Sequence, residues 1–194
     1  MGAMLQESDP DSGSLLARDI RALRKSRGMT LAETALRLDR SVGWLSQVER
    51  GLSQPSLGDL RAIADLFSVP LSLFFSHDVP REEERGVVVR AGARRVLGTS
   101  ETGLVEELLS PDLGGSFELI RSEFAAGAEM VVEARRDTED AGYVVSGRLD
   151  IEIGGVWHVL GEGDSFRFSG KTYRWRNPGN TPTVVIWVVS PPVY

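Results

Sequence analysis

The sequence contains no cysteine in its 194 residues, which removes disulfides, thiolate metal sites and cysteine nucleophiles together. Histidine is nearly as scarce. Only His77 and His158 occur, so there is little room for imidazole chemistry. No run approaches the roughly 20 consecutive apolar residues that a membrane span needs, and no basic-then-apolar leader opens the chain. These absences lead to the expectation of a cytoplasmic protein with no membrane partner. Positive charge is also in deficit. The formal net charge of −6 argues against indiscriminate binding of nucleic acid by the whole surface.

That average hides an asymmetry. From Ser14 to Phe75 nine Lys/Arg stand against six Asp/Glu, a net +3, whereas residues 76–194 carry −6 and residues 1–13 carry −3. A local basic excess is what phosphate contact requires. Apolar residues make up 41% and charged residues 26%, the balance of a globular chain rather than a disordered one. The length allows one large domain or two small ones, and the change of hydrophobic period described next favours two.

Residues 1–13 are polar, with Gly, Pro and Ser, and read as a mobile tail. Leu15, Leu16, Ile20 and Leu23 fall on helical spacing and predict a first helix ending near Arg27 and Gly28. Thr30 with Glu33 forms a capping box, followed by a helical stripe of Leu31, Ala32, Ala35, Leu36 and Leu38 that Asp39 and Arg40 interrupt. Ser41 then caps a helix whose Leu45 and Val48 face inward and which Gly51 stops in a left-handed conformation. Pro55 and Ser56 start a fourth helix, Leu57 to Phe67, and a last turn from Pro70 to Phe75 completes an expected five-helix unit over residues 14–75.

Residues 76–85, SHDVPREEER, read as a charged linker. Beyond it the period changes from helical to alternating. Short runs at 86–90, 104–109, 117–124, 130–134, 143–153, 156–160, 165–168, 173–176 and 183–189 are rich in Val, Ile and aromatics and are separated by Gly-rich or Asn-Pro-Gly turns. So many short strands without helices between them predict a sandwich or barrel over residues 86–194.

From Leu23 to Phe67 the sequence resembles the lambda-repressor-like, Xre-type helix-turn-helix domain, including the LSQVERG end of its recognition helix and the Pro-Ser start of the next. The resemblance implies that the helix after Ser41 enters a DNA major groove, with Val42, Gly43, Ser46 and Gln47 at base edges. Gln47 suits adenine, whose N7 and N6 an amide can engage together. Ser41 would meet a phosphate. Arg40 and Arg50 are further phosphate candidates, Arg37 a more ambiguous one. Trp44 stays open between stacking on the groove wall and packing within the domain. Arg24 and Glu49 occupy positions that in this family often form a buried ion pair setting the docking angle. The chain departs from the family at Leu31, where a phosphate-binding Gln is common.

The later half, through AGYVVSGRLDIEIGG, LGEGDSFRFSG and RWRNPGN, resembles the cupin domain found behind such DNA-binding domains. The implied fold class is an α + β two-domain chain: a helix-turn-helix unit followed by an all-β cupin, or double-stranded β-helix, barrel. Cupin metal ligands would fall at Ala134, Arg136, Asp140 and Tyr173. Only one carboxylate survives, and Arg cannot ligate, so neither a metal nor another cofactor is expected. The same positions, with Trp175, suit an anionic or amphoteric small-molecule effector, a carboxylate pairing with Arg136, an amine with Asp140 and the aromatic rings covering the apolar part; alternatively Arg136 and Asp140 pair with each other. Phe166 and Phe168 read as core, Tyr143 as packing, His158 as surface or core, and His77 as linker. The expected function is an effector-responsive, non-enzymatic transcriptional regulator, a homodimer reading a pseudo-palindromic operator. A metal-dependent cupin enzyme fused to a DNA-binding domain, or a barrel that only dimerises, are the alternatives.

Overall fold

The structure, a computed structural model, describes residues 12–75, 81–97 and 103–194. The chain divides into two compact units, one ending at Phe74 and one beginning at Phe75. Among the described residues no helix is long and apolar enough to cross a membrane. His77 lies outside the described residues, as do the expected tail up to residue 11 and the linker segment 76–80.

Among the described residues four α-helices build the first unit: α1 (Ser12–Ser26), α2 (Leu31–Arg37), α3 (Val42–Glu49) and α4 (Leu57–Phe67). Ser12 and Gly13 open α1 rather than extending the tail. The fifth helix expected at 70–75 is instead a 3₁₀ turn, Leu71–Phe74. Four residues after Pro70 are too few for a ladder, and the turn is closed by the Leu73 amide donating to Pro70 O at 3.0 Å. The caps follow the sequence closely. Thr30 and Glu33 satisfy each other's backbone amides at the start of α2, and Ser56 and Asp59 do the same for α4, removing two orphan donors at each helix start.

Between α2 and α3 the chain reverses at Asp39, with φ of +53°, one of the few side chains that tolerates this region. The Arg40 amide donates to Ala35 O (2.9 Å) and that of Asp39 to Leu36 O (3.2 Å), a Schellman closure. Gly51, φ +70°, closes α3 the same way, with the Leu52 amide on Gln47 O at 2.9 Å. Ile20, Leu23, Leu45, Val48, Ile63 and Phe67 are at most 2% exposed and form the core. At about 1.5–3 kcal/mol for each large apolar side chain, these contacts rather than local propensity hold such short helices. The predicted stripe on α2 is only half right. Ala35 is buried, but Leu36 is 81% exposed, and the inner position belongs to Thr34, whose hydroxyl donates to Thr30 O at 2.9 Å.

Among its described residues the second unit holds ten antiparallel strands: β1 (Arg95–Leu97), β2 (Leu104–Leu108), β3 (Glu118–Phe124), β4 (Ala134–Arg135), β5 (Glu139–Ser146), β6 (Arg148–Ile153), β7 (Val156–Gly161), β8 (Ser165–Ser169), β9 (Thr172–Arg176) and β10 (Thr183–Ser190). A six-stranded sheet runs β1-β2-β3-β10-β5-β8 and a four-stranded sheet β4-β9-β6-β7. The expected strand at 86–90 is absent: this stretch is turn and irregular chain, with Val87 72% exposed. Before it, Glu82–Glu84 forms a 3₁₀ turn whose buried Glu84 accepts from Arg90 Nε at 3.1 Å. The run at 130–134 contributes only β4.

The expected strand 143–153 is two strands, β5 in one sheet and β6 in the other, separated by Gly147 at φ +84°. A Cβ there would meet Thr183 Oγ1 at 2.6 Å. That close approach is used, because the Thr183 hydroxyl accepts from Arg148 N (3.0 Å) and donates to Arg148 O (2.8 Å). The two sheets meet through aromatic rings. Phe124 of β3 lies 4.6 Å from Trp175 of β9, and Phe168 of β8 lies 5.2 Å from Tyr173.

Candidate nucleic-acid interface and barrel interior

The α3 helix has one buried and one open face. Leu45, Val48 and Glu49 point into the unit, while Ser41, Val42, Gly43, Gln47 and Arg50 are exposed and Trp44 and Ser46 half-buried. Helical spacing places positions 43, 46, 47 and 50 side by side on that open face. The Gln47 side-chain amide makes no hydrogen bond among the described residues, so all its donor and acceptor capacity faces outward. Ser41 spends its hydroxyl locally, accepting from Trp44 N at 3.1 Å. Arg50 Nε donates to Ser46 O at 3.2 Å.

Arg40 is less free than a bare phosphate candidate. Its Nε donates to Asp59 Oδ1 at 2.9 Å and its Nη2 reaches the same oxygen at 2.8 Å, while the guanidinium lies 5.6 Å from the Trp44 ring centroid. The Asp59 carboxyl is held below its ordinary value, first by the Ser56 hydroxyl and then also by Arg40. Arg40, Trp44 and Asp59 line a cleft of about 460 Å³ at the start of α3, with Leu36 on its wall. Trp44 therefore packs on one side and remains open on the other. Beneath the helix, Arg24 grips Glu49 bidentately, Nε to Oε1 at 2.6 Å and Nη2 to Oε2 at 2.8 Å, as the family resemblance implied.

In the second unit, strand alternation sends Asp140, Gly142 and Val144 of β5, and Tyr173 and Trp175 of β9, to buried positions. Asp140 is 1% exposed. Its Oδ2 accepts from the Thr138 hydroxyl at 2.5 Å, and its Oδ1 has no partner. Arg136 is half-buried and lies within electrostatic range of Tyr173, Tyr194, Glu106 and Asp140. Burial pushes its pKa down, but those four neighbours more than restore it. Burial raises the Tyr173 phenol above its ordinary value against the opposing field of Arg136.

Trp175 shares the inward face of β9 with Tyr173. It packs edge-on against Phe124 at the interface between the sheets, 3% exposed. Phe166 and Phe168 stack 6.2 Å apart and both approach Trp187, as core residues would. Tyr143 is 50% exposed, on the opposite face of β5 from Asp140, and His158 is exposed on β7.

Three polar residues of the interior were missed from sequence. Glu106 accepts from Ser122 Oγ at 3.2 Å and from the Tyr194 hydroxyl at 3.4 Å, and burial raises its pKa despite Arg136. Glu118, 1% exposed, accepts from the amides of Val193 (3.0 Å) and Tyr194 (2.6 Å). Burial likewise carries the Tyr194 phenol far above its ordinary range. A signal existed for Glu118, which shares the inward face of β3 with Ile120, Ser122 and Phe124. Nothing local pointed to Tyr194.

These side chains do not fit a resident metal. Arg136 places a permanent cation among them, and among the described residues no three His, Cys, Asp or Glu side chains converge; a divalent ion needs several neutral or anionic donors.

Comparison with known proteins bears on both units. Residues 15–74 match the family described as Helix-turn-helix domain, and residues 120–189 match the family described as Cupin domain. The chain is similar to the HTH-type transcriptional regulator SutR of Escherichia coli (strain K12), 29% identical over 168 residues covering 84% of this chain and 88% of that protein. Among solved structures it resembles an HTH_3 family transcriptional regulator from Vibrio cholerae, with 22% identity, 95% of this chain and 99% of that one covered, and a TM-score of 0.45. It also resembles the Cupin_2 domain of an XRE family transcriptional regulator from Enterobacter cloacae, with 26% identity, 47% and 99% covered, and a TM-score of 0.42.

Proposed function

We infer the working of this chain from its membership of the Xre-type helix-turn-helix regulators with a C-terminal cupin domain: it is a DNA-binding transcriptional regulator whose cupin domain senses a small molecule. The observation that carries the DNA-reading part is the open face of α3, where Gln47 is exposed with its amide unspent. On this reading Gln47 contacts a base edge and Ser46 assists it. Val42 and Gly43 offer no hydrogen-bonding side chain, so DNA shape and dimer spacing supply the rest of the specificity. Ser41, Trp44, Arg40 and Arg50 contact the backbone. Two copies of the chain read the two halves of a pseudo-palindromic operator.

The experiment is operator binding by fluorescence anisotropy, with a random duplex as reference. Gln47→Ala is expected to lose roughly 1–3 kcal/mol on the operator and little on random DNA. Equal weakening on both would show that Gln47 is not a base reader.

The barrel part of the proposal places the effector against Arg136, Asp140 and Tyr173. Its support is that Arg136 holds no ion pair with Asp140, so the two are not simply satisfying each other. Effector binding biases the placement of the two DNA-binding units and so shifts operator affinity. Arg136→Ala is expected to abolish the shift in operator affinity that a cell extract or purified effector produces in the unaltered protein. An undiminished shift would reduce the barrel to a dimerisation module. No step of this reading is catalytic.

A further inference from the structure

Two opposite charges lie unspent in the barrel interior. Asp140 is 1% exposed, and its Oδ1 receives no hydrogen bond. Arg136 has no hydrogen bond or ion pair among the described residues, although it lies within electrostatic range of Asp140, Tyr173 and Glu106. Opposite charges that share a protein interior ordinarily pair, because each alone is costly to bury. Buried acceptors without donors are rare enough to need a reason. Glu106 acts on Arg136 only through its field: its hydrogen-bond donors are Ser122 and Tyr194, and it makes no hydrogen bond or ion pair with the guanidinium.

What remains is one carboxylate oxygen that lacks a donor and one guanidinium fork with five donors and no acceptor. A plain carboxylic acid would complete Arg136 and set a second negative charge beside Asp140. A plain amine would complete Asp140 and leave Arg136 unmet. A molecule carrying both groups completes both. Tyr173 stands close to Phe168, at 5.2 Å, and to Trp187, at 6.1 Å, which gives an aromatic wall for the rest of such a molecule and a π-face toward its cation.

We propose that the barrel interior takes an amino-acid-like zwitterion, its ammonium group on Asp140 Oδ1 and its carboxylate on Arg136. The proposal rests on the effector reading above and narrows it from an anionic or amphoteric molecule to a zwitterion that engages both groups at once.

The test is calorimetric titration of the full chain with the proteinogenic L-amino acids, and for each one that binds, with its decarboxylated amine and its deaminated acid. At least one amino acid is expected to bind, with both truncated analogues weaker by at least about tenfold, the loss of one charge-assisted pair. Asp140→Asn is expected to weaken the amino acid by a similar factor. It should also leave the ligand-free melting temperature equal or higher, because it removes a buried charge whose oxygen lacks a donor.

A deaminated acid binding as tightly as its parent amino acid would overturn the Asp140 subsite. That comparison uses only the unaltered protein, so it holds even where the variant folds poorly. Binding by none of the amino acids would overturn the zwitterion itself. Native mass spectrometry of the purified chain separates the two failures: a retained small molecule without an amine keeps the effector reading and sinks this one.

Discussion

Replacing Glu49 with alanine is expected to cost the helix-turn-helix unit roughly 3–5 kcal/mol, the penalty for breaking a buried ion pair from one side. Its partner Arg24 cannot retreat to water. The two side chains are 10% and 5% exposed, the pair is bidentate, and Arg24 Nη1 is tied to Met29 O at 2.9 Å. Removing the carboxylate leaves a buried guanidinium with a single carbonyl for company. Against the roughly 5–15 kcal/mol that stabilises a typical domain, that loss brings the unit close to unfolding at growth temperature. Far-ultraviolet circular dichroism of the full chain during urea titration is the measurement, since the helices lie in this unit. The melt should show the helical signal leaving early while the barrel persists.

The companion experiment separates stability from function. Arg24→Met combined with Glu49→Leu should restore most of the stability, because an apolar pair of similar volume fills the site without desolvated charge. Operator affinity should not recover in step, since the pair joins α1 to the end of α3 and, under the proposed function, sets the angle at which α3 meets DNA. A loss below about 1 kcal/mol for Glu49→Ala would place the pair with ordinary surface bridges.

How much of this was legible in the sequence depended on whether the signal was local. The capping box at Thr30 and Glu33, the Ser41 cap and the Gly51 stop are each decided within a few residues, and each appears as read. Leu36 shows the limit. Its spacing is helical, but spacing cannot say which apolar side chains meet a core, and Thr34 took the inner place by bonding its own hydroxyl to the preceding turn. The residues 86–90 failed for a related reason. They have strand composition, yet strands form by pairing, and the chain pairs at Arg95–Leu97 with β2 instead.

The barrel interior was legible where alternation exposed it and hidden where distant segments met. Tyr173 and Trp175 sit two apart on β9 and both point inward, so sequence grouped them. Two residues of strand advance the chain by about 6.6 Å; Trp175 meets Phe124, while Tyr173 lies within the field of Arg136. Glu106 and Tyr194 lie 88 positions apart, and only the fold could join them.

A second large effect is expected at Asn177, where the turn after β9 is fastened to the end of β3. Asn177 is 1% exposed. Its Nδ2 donates to Phe124 O (3.0 Å), Ala125 O (3.1 Å) and Thr181 O (2.9 Å), and its Oδ1 accepts from Gly179 N at 2.9 Å. Alanine removes both amide hydrogens and the acceptor, so several backbone groups lose their partners in a place water reaches poorly. At about 1–3 kcal/mol for each buried group left unsatisfied, the barrel should lose on the order of 3 kcal/mol.

Aspartate makes the sharper test, because it keeps the shape and the bond from Gly179 N while setting a carboxylate oxygen against three carbonyls. Asn177→Asp should therefore destabilise more than Asn177→Ala near neutral pH, despite the smaller change in volume. Tryptophan fluorescence during urea unfolding reads the result, since Trp157, Trp175 and Trp187 lie in this unit and only Trp44 in the other. If aspartate proved the milder substitution, volume rather than hydrogen bonding would be what Asn177 supplies, and the turn would be held by packing alone.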